Sequence, residues 1–468
     1  MRISFIEARS PNSHVFSRYA IPRLGAILLS TILRDRGYEI KAFIEDIAEP
    51  DWSFVDNSDI VCISTITSTS IRAYKIAARL RRKGMPVIMG GAHPSFLPEE
   101  ALEYADYVVR GEGDMTLPDL VSYIEKGIPD ISSIKGLSYK DDEGNVINNP
   151  PRPLIEDLDE LPSPDFGLIP HWKPSHIYPI STSRGCPFNC NFCSVIPIFG
   201  RKYRFQSVEK TLYELRKVSS SSKTSVFFVD DNFTANRERA KELLRAKISE
   251  RLSLKWSAQV RTDVTKDVEL VHLMADSGCD TVHIGFESIN PKTLEAYNKK
   301  QSIEEIIRCI KILRDHGIEI HGMFVFGADS DDIDTIRKTG DFAINNGIDT
   351  IQFMMLTPLP GTPFFQKIME SERLLHNDWS KFDGHHVVFR SLLMSPQTLH
   401  IESLKAMGRF YSWKYILKHL ASLDFFHAGV GLYGKKAVKK ALRETKAYLN
   451  SISRLGGSQL AGAGQLVR

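Results

Sequence analysis

The chain has 468 residues, of which 42% are hydrophobic, 25% charged and 10% aromatic, the make-up of a folded globular protein and not of a disordered or fibrous one. Lys+Arg 60 against Asp+Glu 57 leave a net charge of +3, too balanced for nucleic-acid binding driven by whole-chain electrostatics. Glu7 stands where a signal peptide would be apolar, and the apolar stretch Gly25 to Leu33 is far shorter than the roughly 20 residues of a spanning helix. A cytoplasmic protein of two or three domains is expected, with no transmembrane segment and no nucleic-acid partner.

The first part alternates strand and helix signals. Strands are predicted over Arg2 to Glu7, Glu39 to Ile44, Asp59 to Ser64, Met85 to Met89 and Tyr107 to Arg110; helical spacing lies over Leu24 to Leu33, Ile71 to Lys83 and Glu99 to Tyr104. Such alternation implies a doubly wound parallel sheet, because parallel neighbours need a crossover. Small residues stand just past the strand ends: Ser64-Thr65, Gly90-Gly91 and Gly111 to Gly113. They read either as glycines closing tight turns or as a ligand cradle at that sheet edge.

From Lys135 to Pro174 six prolines, from Pro150 to Pro170, forbid long regular elements, and Lys140 to Asn145 suits a hairpin turn. This segment reads as a linker that holds two domains at a semi-fixed distance. Domains are therefore expected at 1-134 and 175-363, with a helical region over 364-468. The second block has six strand signals, Tyr178 to Ser183, Ser225 to Asp230, Leu254 to Val260, Thr281 to Phe286, Glu319 to Phe326 and Thr350 to Leu356, separated by helical patterns. Six strands so arranged suggest a partial barrel with its chemistry at the carboxyl ends of the strands. The chain then reads as helical to about Tyr448, and Gly456 to Arg468 as frayed. Lys435, Lys436, Lys439, Lys440 and Arg443 read as a solvated helix face or as a site for an anionic substrate or membrane surface.

The first barrel strand runs into Arg184-Gly-Cys186-Pro-Phe-Asn-Cys190-Asn-Phe192-Cys193. Structural zinc wants four ligands, usually as two separated pairs, and no second pair exists. The other three cysteines, Cys62, Cys279 and Cys309, lie scattered in apolar segments and read as packing residues. Three adjacent thiolates suit a metal cluster with one position left open. This loop resembles the signature of the radical S-adenosylmethionine (SAM) superfamily, Cys-x3-Cys-x-aromatic-Cys after the first strand of a six-fold partial β/α barrel. The resemblance implies a four-iron four-sulfur cluster on Cys186, Cys190 and Cys193. SAM would bind its free iron and be cleaved reductively to a hydrogen-abstracting 5′-deoxyadenosyl radical. Phe192 would lie near the adenine.

Other strand ends fit that assignment. Asp230 would meet the SAM amino group, while Asp231 or Asn232 could instead cap the next helix. Arg261, Glu287 and Ser288 are candidates for the SAM carboxylate and ribose hydroxyls. Met354 and Met355 read as core filler, yet Thr357-Pro-Leu-Pro-Gly-Thr-Pro363 looks like that of members with an N-terminal cobalamin domain. Asp59 to Ser64, Gly90 to Ser95, Pro98 to Glu100 and Ala105 to Gly113 likewise resemble the cobalamin-binding domain of class B radical SAM enzymes. That implies cobalamin against Ser64, Thr65, Gly90, Gly91, Gly111 and Gly113.

The Asp-x-His-x-x-Gly motif is absent, since His14 has neither the Asp nor the Gly, so cobalamin would bind without histidine on cobalt. His93 reads as a turn histidine meeting water or as a cofactor neighbour. The resemblance implies a methyltransferase acting on an unactivated carbon, with a cyclase or oxidoreductase as the alternative and a cofactor-binding sensor behind both. It further implies a small-molecule, lipid or tetrapyrrole-like substrate and an external electron donor such as flavodoxin or ferredoxin. Trp379 and His385-His386 read as solvent-facing loop residues or as substrate contacts.

Overall fold

The computed structural model describes residues 1–10, 21–173, 177–221 and 225–455. His14 and the stretch from Gly456 to Arg468 lie outside the described residues. The N-terminal sheet contains β1 (Arg2–Glu7), β2 (Glu39–Ile44), β3 (Ile60–Ser64), β4 (Val87–Gly90), β5 (Tyr107–Val109), β6 (Leu137–Lys140) and β7 (Val146–Asn148), in the order β2-β1-β3-β4-β5-β6-β7. The first five strands pair parallel; β6 and β7 add an antiparallel hairpin at the edge. Alternate residues feed two separate cores: Val61 and Ile63 face one, Ile60 and Cys62 the other. Both faces are buried, which is why these strands are predominantly apolar, with interruptions such as Ser4 and Lys41.

The hairpin corrects the linker reading of 135–174. The turn at Asp141 to Asn145 was recognisable, but the strands on either side of it belong to the sheet, with Tyr107 opposite Tyr139. The two strands are only four and three residues long, too short for their apolar residues to show a period. Short helices at Trp52–Asp56 and Ala92–Phe96, and the longer Thr116–Lys126, stand beside those the pattern predicts.

The second sheet holds β8 (Tyr178–Ile180), β11 (Val226–Phe228), β12 (Trp256–Val260), β13 (Cys279–Glu287), β14 (Glu319–Phe326) and β15 (Thr350–Met355), all parallel and in chain order. Between β8 and β11 a two-stranded ribbon forms from β9 (Ser183–Arg184) and β10 (Arg204–Phe205). Helices Val208–Ser221, Arg237–Ser249, Val268–Asp276, Ile303–Asp315 and Ile333–Asn345 cover the outer face, giving a partial barrel. Outward residues such as Trp256, Phe228 and Val282 pack into one core, where Phe228, Phe233 and Trp256 form a mutual aromatic trio worth about 1 kcal/mol per pair beyond area burial. Cys62, Cys279 and Cys309 are buried, as packing residues. Helices Pro396–Phe410, Trp413–Ala421 and Phe425–Leu455 complete the chain, and Tyr411 anchors them by hydrogen bonds to the Ile351 backbone. No helix among the described residues is long and apolar enough to cross a membrane.

Candidate active site

Chain order reverses at β1, which has β2 on one side and β3 on the other, and the carboxyl ends of strands at such a point open a crevice. A cavity of about 420 Å³ lies there, and Ser64, Thr65, Gly90, Gly91, Gly111 and Gly113 all line it. Its opposite wall comes from the barrel: Ser181, Ser183, Arg184, Gln206 and Asp231. Gly91 has φ +102°, and a Cβ there would stand 2.4 Å from the Thr65 carbonyl oxygen, so the two turns meet backbone to backbone. Thr65 N–H donates to the Gly90 carbonyl at 3.0 Å, and Gly111 N–H donates to Ser95 Oγ at 2.9 Å. The turns are thus internally braced around the cavity.

A buried ionic clamp joins the two walls. Arg204 donates to both oxygens of Glu112 at 2.7 and 3.0 Å, while Arg184 forks onto Asp114 at 2.8 and 3.1 Å and reaches Glu112 at 3.3 Å. Glu112 also accepts from Ile155 N–H. For Arg184, burial alone would lower the affinity for its proton, but Asp114 and Glu112 more than offset this and raise it. Glu112 lies inside the Gly111-Gly113 turn and Arg184 directly precedes Gly185-Cys186, so one clamp ties the cavity floor to the cysteine loop. The sequence offered a signal in those two charges of opposite sign flanking the two motifs; Arg204 carried none.

The cysteine loop is pinned by its own backbone. Gly185 has φ +88°, and a Cβ would come within 2.4 Å of the Lys202 carbonyl oxygen. Asn298 donates to the Asn189 carbonyl at 2.9 Å, Asn191 to the Ala296 carbonyl at 2.7 Å, and Phe364 N–H to the Asn191 carbonyl at 3.0 Å. Phe192 meets Tyr297 edge-on at 4.9 Å. Cys186, Cys190 and Cys193 are half-buried and unpaired. Burial pushes the Cys193 thiol up to about 12 and the Cys186 thiol upward too, with Arg261 opposing the latter.

Among the described residues the one group of three Cys, His or carboxylate ligand atoms gathered within 4.8 Å is His419, Asp424 and His427, not the thiols. Three free thiols on one pinned loop suit a cluster with one corner left open. In the histidine group, Asp424 already accepts from both imidazole Nδ1 atoms and from His427 N–H, as a helix cap.

The remaining predicted residues divide. Asp230 is fully buried and accepts from Thr182 N–H at 2.9 Å, the Thr182 hydroxyl at 3.0 Å and the Ser183 hydroxyl at 2.6 Å, so its oxygens are engaged within the protein. Asp231, unlike Asp230, is exposed and lines the cavity, and partial desolvation together with Asp230 beside it shifts its carboxyl upward. Neither Asp231 nor Asn232 caps the following helix; Asn236 does, accepting from Arg239 N–H at 3.1 Å. Arg261 lays its guanidinium 3.7 Å over the Phe188 ring, within the cysteine loop. Glu287, at φ +63°, accepts from Lys299 at 2.8 Å in a buried pair, and Ser288 Oγ accepts from Asn290 N–H at 3.0 Å.

Two readings of single residues are corrected. His93 is neither in a water-facing turn nor at the cavity: it is fully buried in the helix Ala92–Phe96, between Thr67 Oγ1 and Glu100 Oε1 at 3.3 Å each. Trp379 is buried rather than solvent-facing, donating to both Glu100 oxygens at 3.0 Å and meeting the His93 ring edge-on. His386 pairs with Asp383 at 2.9 Å, and His385 N–H donates to the same carboxylate.

Two family profiles match this chain: the radical SAM superfamily over residues 180–343 and the B12 binding domain over residues 17–121. An uncharacterized methyltransferase of Pyrococcus horikoshii is 34% identical over 444 residues, covering 90% of this chain and 94% of that one. Bacteriochlorophyllide d C-12(1)-methyltransferase of Chlorobaculum tepidum is 30% identical over 370 residues, covering 77% and 76%. The radical SAM methyltransferase TsrM from Kitasatospora setae, solved with cobalamin and a 4Fe-4S cluster bound, shares the fold with a TM-score of 0.69 at 18% identity, over 95% of this chain and 99% of that one.

Proposed function

Because the chain belongs to the radical SAM superfamily, among members with a B12-binding domain, and is thus an enzyme working with a four-iron four-sulfur cluster, SAM and cobalamin, we propose that it transfers a methyl group to an unactivated carbon. One observation carries this reading: a single cavity has the B12-domain turns on one wall and the approach to the cysteine loop on the other. A methyl carrier and a radical generator must address the same substrate carbon, and a shared cavity lets them. When bound, the cofactors supply a hydrogen-abstracting radical and a transferable methyl group, with electrons from a donor of the flavodoxin or ferredoxin kind.

The chain's own residues would hold these parts. Cys186, Cys190 and Cys193 supply the cluster ligands, Arg261 an unshared positive charge for a carboxylate, and Asp231 an acceptor for an ammonium, a role its engaged neighbour Asp230 fills less well. Phe192, Glu287 and Ser288 border the same barrel end. Ser64, Thr65, Gly90, Gly91, Gly111 and Gly113 present backbone to cobalamin. The Chlorobaculum relative supports a tetrapyrrole-like substrate, flat and apolar enough to need a wide cavity.

The test is anaerobic turnover of the reconstituted enzyme with methyl-deuterated SAM, a reductant and a tetrapyrrole panel. Expected are 5′-deoxyadenosine and a deuteromethyl product, both lost in Cys186→Ala, Cys190→Ala and Cys193→Ala, together with cobalt uptake. Deoxyadenosine without label transfer in cobalt-loaded enzyme would refute methyl transfer in favour of hydrogen-abstraction chemistry.

A further inference from the structure

The helix Trp413–Ala421 turns back on Phe425–Leu455 to make a hairpin whose tip and one outward stripe are apolar and open. Trp413 is 57% exposed, Leu417 61%, Leu423 75%, Phe425 68% and Phe426 63%. Trp413, Leu417 and Leu420 recur at helical spacing, so one stripe of the first helix is apolar toward solvent. On the second helix Phe425, Leu432, Lys436, Lys439 and Arg443 fall on one stripe at the same periodicity, apolar near the tip and basic beyond it. Lys435 lies 5.3 Å over the Trp413 ring, which makes the aromatic and basic surfaces continuous.

The charge of this region is lopsided. Residues 413 to 446 contain eight Lys or Arg and two Asp or Glu, a surplus of +6 in a chain whose net charge is +3, so the remaining residues sum to −3. Large exposed aromatics beside long cationic side chains are the pattern of a helix lying in a bilayer interface, where the rings enter the headgroup layer and lysines reach anionic lipids. A second copy of this chain is a poor occupant, because a two-fold contact would set one +6 segment against another. The hairpin also has its own footing: Tyr415 donates to the Asp349 carbonyl at 2.7 Å, and His427 lies 3.6 Å from Glu319, so it stands at the amino ends of β14 and β15. The cysteine loop is at the opposite, carboxyl ends of the barrel strands.

We propose that the exposed face of the 413–446 hairpin docks the enzyme peripherally on an anionic phospholipid surface, with the barrel mouth turned away from it. The docking is independent of the methyl-transfer reading: it needs neither cofactor nor substrate. Lipid contact at this end would hold the enzyme at a membrane while the cavity stays open to substrate from the aqueous side.

Full-length protein is sedimented with phosphatidylcholine vesicles, with and without phosphatidylglycerol, at low and high salt. Binding is expected only with phosphatidylglycerol, weakening as salt rises, together with quenching of Trp413 fluorescence by brominated lipid that a Trp413→Phe variant lacks. Phe425→Glu/Phe426→Glu and Lys436→Glu/Lys439→Glu/Arg443→Glu variants should each bind more than about tenfold more weakly, with unchanged melting temperature. Equal partition of these variants and the parent would overturn the proposal. So would a parent dimer, by light scattering, that the Phe425→Glu/Phe426→Glu variant converts to monomer, since the apolar tip would then be a protein interface.

Discussion

The ionic clamp between Glu112, Asp114, Arg184 and Arg204 gives the sharpest test of how the two halves are joined. In Glu112→Ala, Arg204 keeps only the Ile155 and Phe199 carbonyl oxygens as partners, at 2.6 and 3.0 Å, and no carboxylate. Its side chain is 1% exposed, so the charge cannot turn to water. Stranding a buried charge in this way costs about 3–5 kcal/mol. At about 2.1 cal/mol/K of unfolding entropy per residue, a chain of this length loses about 1 °C per kcal/mol if it melts cooperatively, so a fall of about 3–5 °C is expected. Replacing both partners, as Glu112→Ala/Arg204→Met, removes the stranded charge and should restore most of that loss. The assay is anaerobic thermal unfolding of the four proteins of this cycle, followed by cobalt and iron content. The clamp is misread if Glu112→Ala melts within a degree of the parent, or if the double variant is as unstable as the sum of the two single ones.

Two further predictions are independent of it. Glu7 is buried, and desolvation pushes its carboxyl up to about 7 in spite of Arg23, which supplies an N–H at 3.2 Å and a guanidinium at 3.5 Å. The folded protein then keeps a proton that the unfolded chain gives up near 4.5, so this contribution to stability is intact below 4.5 and is lost as pH rises to about 7. Glu7→Gln should flatten the pH dependence of denaturant midpoints between those limits and gain on the order of 3 kcal/mol above them; an unchanged slope contradicts the assignment. Gly91→Ala, with its Cβ 2.4 Å from the Thr65 carbonyl oxygen, should force the two turns apart and abolish cobalamin uptake measured by absorbance titration. Gly111→Ala, with φ +69° but nothing within 4 Å of the added Cβ, should cost only about 1–2 kcal/mol and leave uptake measurable. Equal uptake by the two variants would mean the Gly91 contact does not shape the site.

What the sequence showed, and what it hid, follows from where information sits along the chain. Buried parallel strands announce themselves, because both faces are apolar: the limits of β1 and β2 agree with the pattern to the residue. The six barrel strands were visible through their alternation of buried and inward-facing residues, as in Trp256-Ser-Ala-Gln-Val260, the helices between them through their 3.6-residue period, and the thiols through their spacing. Partnership was not visible. Asp230 and Asp231 are adjacent and chemically identical, yet one is enclosed by Thr182 and Ser183 and the other faces the cavity, a difference made by strands that are about fifty residues away for the donors of Asp230. His93 shows the same limit: its neighbours Thr67, Glu100 and Trp379 come from separate segments, so a histidine next to a glycine pair looked like a loop residue. The hairpin of β6 and β7 was hidden because its strands are only four and three residues long, too short to show a period.

These hidden contacts also change what sets the distance between the two halves. A proline-rich connection fixes a separation only as far as it is stiff, and the first part of that segment is sheet. The contacts that cross between the halves are more exacting. Glu112 and Asp114 grip Arg204 and Arg184 beside the cysteine loop; Trp379 holds Glu100 with both oxygens at 3.0 Å; and Gly361, in the Thr-Pro-Leu-Pro-Gly-Thr-Pro run, passes so close to Phe96 that an added Cβ would stand 2.3 Å from its ring. On the first half these contacts all come from the short stretch Phe96 to Asp114, and on the second from residues between Arg184 and Trp379, so the halves cannot part without breaking buried contacts. A cavity whose opposite walls come from different domains can hold two reactive groups at a constant spacing only under that condition. The spacing between the small-residue turns of the cavity and the cysteine loop is therefore a property of buried charge and packing, and the proline segment needs only to be long enough to permit it.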